Sequence, residues 1–173
     1  MRIAIIGFKC SGKSTVGKKL ALKLEKQFVD LDEIIENLHE ESKHENLSFR
    51  EIYKKYGKDY FRSMESKAVR SACKIKNCVL SLGGGTVAYG KNGNLIENHF
   101  TVVYLKESVD NLLKRIKNTG VPAFLERDRL EDSMKEKLNG RRPIYKKYAD
   151  FELDRSDLSI DETVSKIIEI VKS

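Results

Sequence analysis

A chain of 173 residues, 40% hydrophobic and 34% charged, has the material for one well-cored domain and is too short for two, and its composition excludes a disordered chain. Its 33 basic against 26 acidic residues leave a net charge of +7, which favours anionic partners such as nucleotides, phosphorylated metabolites or nucleic acid. Cys10, Cys73 and Cys78 form no CxxC pair, His39, His44 and His99 have no metal-ligand spacing, and no apolar run approaches the ~18 residues of a membrane span. A disulfide framework, a histidine metal centre and a transmembrane protein are thereby excluded as readings, and reduced thiols in a cytoplasmic protein are expected.

In chain order, short apolar runs alternate with amphipathic segments, the pattern of βαβ units around a parallel sheet. Strands are predicted at 2–6, 27–29, 78–82, 101–105 and 150–153. Uninterrupted runs such as Ile3-Ala4-Ile5-Ile6 suit strands buried on both faces. That first run is too short for a signal-peptide core and leads straight into a glycine loop.

The loop, Gly7-Phe8-Lys9-Cys10-Ser11-Gly12-Lys13-Ser14, matches G-x-x-x-x-G-K-[ST] between a predicted strand and a predicted helix. Its glycines let successive N–H groups turn inward around a β-phosphate, and the helix N-terminus adds partial positive charge. Gly7, Lys9, Cys10, Ser11, Gly12, Lys13, Ser14 and Thr15 are therefore the expected ATP-binding set. Lys13 would bridge the β- and γ-phosphates, and the Ser14 hydroxyl would reach Mg²⁺.

Asp30-Leu31-Asp32 closes the second strand, where residues two apart point the same way. Both carboxylates could face the phosphates, although acidic residues are also common at helix starts. Ser48 with Glu51 reads as a capping box opening a helix that Gly57 would end. In Phe61-Arg62-Ser63-Met64-Glu65, Arg62 and Glu65 share one helix face, which by itself is also the pattern of a surface ion pair.

Ser81-Leu82-Gly83-Gly84-Gly85-Thr86-Val87 places three glycines after an apolar strand, as a plain turn or as a place where something approaches the backbone. Residues 118–134 are polar, charged and without period, and are expected to form an exposed, mobile loop. Arg141-Arg142-Pro143-Ile144-Tyr145 in isolation is a basic helical turn beside a proline. Ser159 with Glu162 opens the last helix, whose core stripe is Val164, Ile167, Ile168 and Val171.

Taken together and in this order, the glycine loop at 7–14, FVDLDEIIE at 28–36, REIYKKYG at 50–57, FRSME at 61–65, SLGGG at 81–85, RRPIY at 141–145 and YAD at 148–150 resemble the shikimate kinase family. The resemblance covers essentially the whole chain. It implies a three-layer α/β P-loop kinase fold, with a five-stranded parallel sheet in the order 2-3-1-4-5, flanked by helices. A single domain over 1–173 is expected, with a mobile lid at about 118–134 and an acceptor-binding region at 31–65.

The implied activity is Mg²⁺-dependent transfer of the ATP γ-phosphate to the 3-hydroxyl of shikimate. ATP or ADP and shikimate are then the partners of a monomer that binds neither nucleic acid nor membrane. By motif, Lys13 and Asp32 are catalytic, with Asp32 binding the shikimate hydroxyls and assisting as general base. Asp30 joins Ser14 in the Mg²⁺ environment. Arg62 and Arg141 hold the shikimate carboxylate, Glu65 orients Arg62, and Gly83, Gly84 and Gly85 line the acceptor pocket. Arg115 falls where the family places an arginine against the adenine. Planar arginine forks suit a carboxylate, and a fixed aspartate suits vicinal hydroxyls.

The chain departs from the family at the lid. The usual R-P-L-L is replaced by Gly120-Val121-Pro122-Ala123-Phe124-Leu125, and Val121 cannot supply the arginine's charge. Arg127 and Arg129, further along the same loop, are the expected catalytic substitutes. Two other readings are a P-loop kinase for another small acceptor, such as gluconate or a nucleotide, and a non-catalytic nucleotide-dependent regulatory or nucleic-acid-binding protein.

Overall fold

The computed structural model describes residues 1–122 and 124–172; Ala123, within the expected lid, and Ser173 lie outside the described residues. The four residues Ile3–Ile6, all buried, form β1, the middle of a five-stranded parallel sheet. The other strands are β2 (Gln27–Asp30), β3 (Cys78–Ser81), β4 (Thr101–Lys106) and β5 (Phe151–Asp154), and the order across the sheet is β2-β3-β1-β4-β5. Ile3 pairs with Val79 on one side and Thr101 on the other, so β1 is covered at both edges. An apolar run with no polar alternation is what such a position demands.

Among the described residues the α-helices between and after the strands are α1 (Lys13–Lys23), α2 (Leu31–Lys43), α3 (Phe49–Ala72), α4 (Asn92–Glu97), α5 (Val109–Thr119), α6 (Leu130–Tyr148) and α7 (Ile160–Lys172). One face of the sheet packs Leu80, Val102 and Tyr104 against Ile35, Ile52, Met64 and Tyr145, and the other packs Ile5 and Val103 against Val16, Leu20, Val164 and Ile167. Each fully buried side chain of this kind contributes roughly 1.5–3 kcal/mol. Val164 and Ile167 of the expected stripe are buried, and Ile168 and Val171 pack half-buried at its margin.

Local signals explain the helix starts. The Ser48–Glu51 capping box is formed reciprocally at α3, and Ser159 and Glu162 exchange the same pair of bonds (2.8 and 3.2 Å) before α7. Gly57 breaks the helical path as expected, with φ 81° and ψ 177°, but a second helical segment resumes at once and carries Arg62 and Glu65.

The stretch 118–134 differs from its reading as an exposed loop throughout. Helix α5 continues to Thr119, α6 begins at Leu130, and Leu125 and Met134 are buried. Those two side chains join Phe8, Leu112, Ile116 and Leu138 in a third apolar cluster. An apolar residue spaced between charges has no period to betray it, yet Leu125 in the middle and Met134 at the end tie the segment to the body. Among the described residues, no helix is long and apolar enough to cross a membrane.

Candidate active site

Parallel sheets bind ligands beyond the carboxyl ends of their strands, and a cavity of about 910 Å³ lies there. It is lined by Lys9 to Thr15 of the phosphate loop (Ser11 excepted), by Asp30 and Asp32 after β2, by Arg62 and Glu65 of α3, by the three glycines after β3, and by Arg141 of α6. Motifs scattered over 130 residues of sequence thus converge on one space.

On the nucleotide side, Gly12 adopts the left-handed conformation (φ 89°) and caps α1, while Cys10 also has positive φ (65°). The Lys13 ammonium donates to the Phe8 carbonyl at 2.8 Å. Burial pulls its pKa down to about 8, although Asp32 acts in the opposite sense. A buried ammonium held on a loop carbonyl is poised to exchange that carbonyl for phosphate oxygens.

The loop is gripped from below by two arginines. Arg115 donates to the Cys10 carbonyl and Arg155 to the Ser11 carbonyl, each at 3.0 Å. Between them lies the fully buried Glu107 side chain, 2.8 Å from Arg115 and 3.9 Å from Arg155. Glu107 is itself fixed by the Ser108 amide and by Asn111 (3.1 and 2.8 Å). Arg155 and Glu107 escaped the sequence reading. Their signal was position: each is the first residue after an observed strand, β4 for Glu107 and β5 for Arg155, at the end of the sheet that carries the glycine loop.

Asp30 and Asp32 reach the cavity by a route other than the expected one. Asp32 is not a strand residue sharing a face with Asp30; it lies in the first turn of α2, and Asp30 is that helix's N-cap. The Asp30 carboxylate accepts from the Asp32 amide (3.1 Å) and from the Ser14 hydroxyl (2.9 Å). Capping therefore orients the pair. Burial first, and the neighbouring Asp30 second, raise the Asp32 carboxyl to a pKa of about 6.

On the acceptor side, Glu65 is buried, accepts from Thr86 Oγ1 at 2.7 Å, and pairs with Arg62 at 2.5 Å. The pair is thus a support within the site rather than the surface ion pair that the motif alone also allows. Arg62 Nε is buried and has no partner among the described residues, so that donor is left for a ligand. Arg141 stacks its guanidinium on Phe8 and Phe124, with 5.5 and 4.8 Å to the ring centroids.

The three glycines have three separate neighbours. A Cβ on Gly83 would stand 3.0 Å from Thr86 Oγ1, 3.7 Å from Glu65 Oε1 and 3.8 Å from Asp32 Oδ1. On Gly84 it would meet the Lys9 amide nitrogen at 3.2 Å and the Gly7 carbonyl at 3.3 Å, both in the phosphate loop. On Gly85 it would stand 3.0 Å from Arg62 and 3.7 Å from Arg141. Close approach, not a left-handed backbone, is what demands glycine here, since none of the three has positive φ. Tyr145, which the sequence reading left without a role, donates its hydroxyl to the Gly84 carbonyl and holds the loop in place. Burial raises its pKa well above the usual phenol range.

Arg127 and Arg129 are not brought to this site. Both are exposed outside the cavity, and Arg129 pairs with Glu136 (3.2 Å) and Glu126 (3.8 Å).

Comparison with known proteins agrees with this geometry. The family model described as shikimate kinase matches residues 9–172. A shikimate kinase of Thermoanaerobacter pseudethanolicus is 35% identical over 167 residues, covering 96% of this chain and 93% of the relative. The solved shikimate kinase from Acinetobacter baumannii in complex with shikimate superposes with a TM-score of 0.89 at 26% identity, covering 99% of this chain and 92% of that one. The crystal structure of shikimate kinase from Aquifex aeolicus gives 0.77 at 30% identity, with 99% and 96% covered. By fold, motif order and similarity along its length, the chain belongs to the shikimate kinase family.

Proposed function

We propose that this protein transfers the γ-phosphate of ATP to the 3-hydroxyl of shikimate. One observation above all supports the choice of acceptor: Arg62 and Arg141 converge within 4 Å of one point at Gly85, while Asp32 and Glu65 converge at Gly83. A small ring with a carboxylate at one end and hydroxyls at the other matches paired guanidinium groups facing a carboxylate. A second phosphate, as in a nucleotide acceptor, would be repelled by Asp32.

The residues divide the work as follows. The phosphate loop and Lys13 hold the β- and γ-phosphates, and Arg115 and Arg155 fix the loop's curvature from beneath. Arg62 and Arg141 anchor the carboxylate, with Arg62 braced by Glu65 and Thr86. Asp32 accepts the proton of the attacking hydroxyl, and a carboxyl with a pKa of about 6 is well matched to that task near neutral pH. Phe49, Phe61 and Phe124 on the cavity wall reduce access of water, which would otherwise compete for the γ-phosphate.

The donor set fits Mg²⁺. The Ser14 hydroxyl lies 2.9 Å from the Asp30 carboxylate and 3.2 Å from the Ser81 hydroxyl, giving hard oxygens beside the phosphate loop. Mg²⁺ takes few protein ligands and completes its shell with water and phosphate. Ser14 and Asp30 would hold it, and it would offset the negative charge of the β- and γ-phosphates.

The test is ADP release by the purified protein with ATP and Mg²⁺, in parallel with shikimate, gluconate, AMP and CMP. Release that depends on shikimate supports the reading; stimulation by another acceptor alone overturns it.

A further inference from the structure

We propose that Lys9 is a catalytic residue, its ammonium meeting the phosphoryl group as it passes from nucleotide to acceptor. The inference rests on the phosphotransfer reading given above. The cationic side chains on the cavity wall are those of Lys9, Lys13, Arg50, Lys54, Arg62 and Arg141.

Lys13 is the β- and γ-phosphate ligand, Arg62 is paired with Glu65, and Arg141 lies against the Phe8 and Phe124 rings on the carboxylate side. Arg50 and Lys54 are exposed on the outer part of α3. Lys9 differs from all of these. It is half-buried, it makes no ion pair or side-chain hydrogen bond among the described residues, and its ammonium lies 5.4 Å from the centroid of the Phe49 ring. A partly desolvated ammonium beside an aromatic face, with no ion pair or side-chain hydrogen bond among the described residues, retains donors for an anion.

Its placement is at the junction of the two half-sites. Lys9 belongs to the phosphate loop, and its amide nitrogen is the atom against which Gly84 of the acceptor-side loop packs. The Lys9 ammonium lies within electrostatic reach of both Asp32 and Lys13. The lid supplies no such charge. The described lid residues on the cavity wall are Thr119, Gly120, Val121, Pro122 and Phe124, all neutral.

In the transfer, the acceptor oxygen forms its bond to the γ-phosphorus as the bond to the β–γ bridging oxygen breaks. The hydroxyl proton passes to Asp32, and ADP leaves with the electron pair. Negative charge is spread over the three equatorial oxygens in the transition state, and a cation placed there stabilises it more than it stabilises bound ATP. Lys9, on the cavity wall at the junction of the two half-sites, is the residue that would supply that cation.

The experiment compares wild type, Lys9→Met and Lys9→Arg in steady-state turnover with shikimate, in slow ATP hydrolysis without acceptor, and in binding of a non-hydrolysable ATP analogue. Lys9→Met is expected to lower kcat roughly 100-fold while leaving analogue affinity and the shikimate KM within about threefold of wild type. Lys9→Arg should recover to within about tenfold of wild type, and acceptor-free hydrolysis should fall in parallel. Lys9→Gln serves as the neutral variant if Lys9→Met does not fold.

Three results overturn the proposal: a neutral variant within about threefold of wild-type kcat, a loss confined to KM, or an arginine variant as slow as the neutral one. A wild type without shikimate turnover would count against the acceptor reading, whereas the ratio of acceptor-free hydrolysis between variant and wild type still decides the role of Lys9.

Discussion

The backbone of Gly84 packs on that of Lys9 so closely that a Cβ on the glycine would lie 3.2 Å from the lysine amide nitrogen. The triglycine loop is therefore where the nucleotide half of the site touches the acceptor half. Gly84→Ala should displace the phosphate loop and raise the KM for ATP several-fold, whereas Gly85→Ala, which intrudes on Arg62, should raise the KM for shikimate by about tenfold or more. Separate KM measurements for each variant check the division. Equal effects of both variants on both substrates would mean that the loop acts as a single turn.

Thr86 supports Arg62 through Glu65, so its hydroxyl matters only by way of the carboxylate it holds. A hydrogen bond to a charged group contributes roughly 1.5–3 kcal/mol. Thr86→Val, nearly isosteric, should lower kcat/KM for shikimate about tenfold with the ATP KM unchanged, as initial-rate kinetics would read.

The clamp beneath the phosphate loop predicts a loss of stability as well as of function. Glu107→Gln removes the one carboxylate shared by Arg115 and Arg155 while keeping its size, leaving Arg155 buried without a counter-charge. Breaking a buried ion pair from one side costs about 3 kcal/mol. Thermal unfolding should fall by roughly 6–12 °C for a domain of this length, and a weakened ATP affinity should accompany it.

Asp32 and Lys13 set the pH dependence. With Asp32 raised to about 6 and Lys13 lowered to about 8, kcat/KM should fall below pH 6 as Asp32 takes up its proton, and fall above pH 8 as Lys13 loses its own. Because the folded pKa of Asp32 lies above its ordinary 3.8, its contribution to stability is complete below that value and is lost as pH rises through 6. Asp32→Asn should consequently abolish transfer while raising the unfolding temperature at pH 7.5. A variant equally stable at pH 4 and pH 7.5 relative to wild type would contradict the assignment.

Arg127→Ala and Arg129→Ala are each expected to retain turnover within about twofold of wild type, since neither side chain lies on the cavity wall. Initial-rate kinetics of the two variants, run beside Lys9→Met, separate the lid from the phosphate loop as the source of the second cation.

The sheet was legible because apolar runs without alternation have few other uses, and the phosphate loop because its spacing is tied to the turn it makes. Arg62, Asp32 and Arg141 became legible only in combination, since each motif alone also reads as a helix cap or an ion pair. Asp32 shows why: it is both a first-turn residue and a cavity residue, and sequence spacing cannot separate the two. Glu107 and Arg155 went unread because an ion pair between residues 48 positions apart leaves no local pattern. Leu125 and Met134, single apolar anchors among charges, hid the order in the lid for the same reason. The three glycines were visible from the start, but their separate duties depend on neighbours from four different segments.

The most direct test of the central claim is to identify the product formed from ATP, Mg²⁺ and shikimate by mass spectrometry and phosphorus NMR. Stoichiometric ADP and a monophosphate on the 3-hydroxyl of shikimate are expected, with only slow acceptor-free hydrolysis when shikimate is omitted. ADP released at the same rate without shikimate, or shikimate recovered unmodified while another acceptor is phosphorylated, would contradict it.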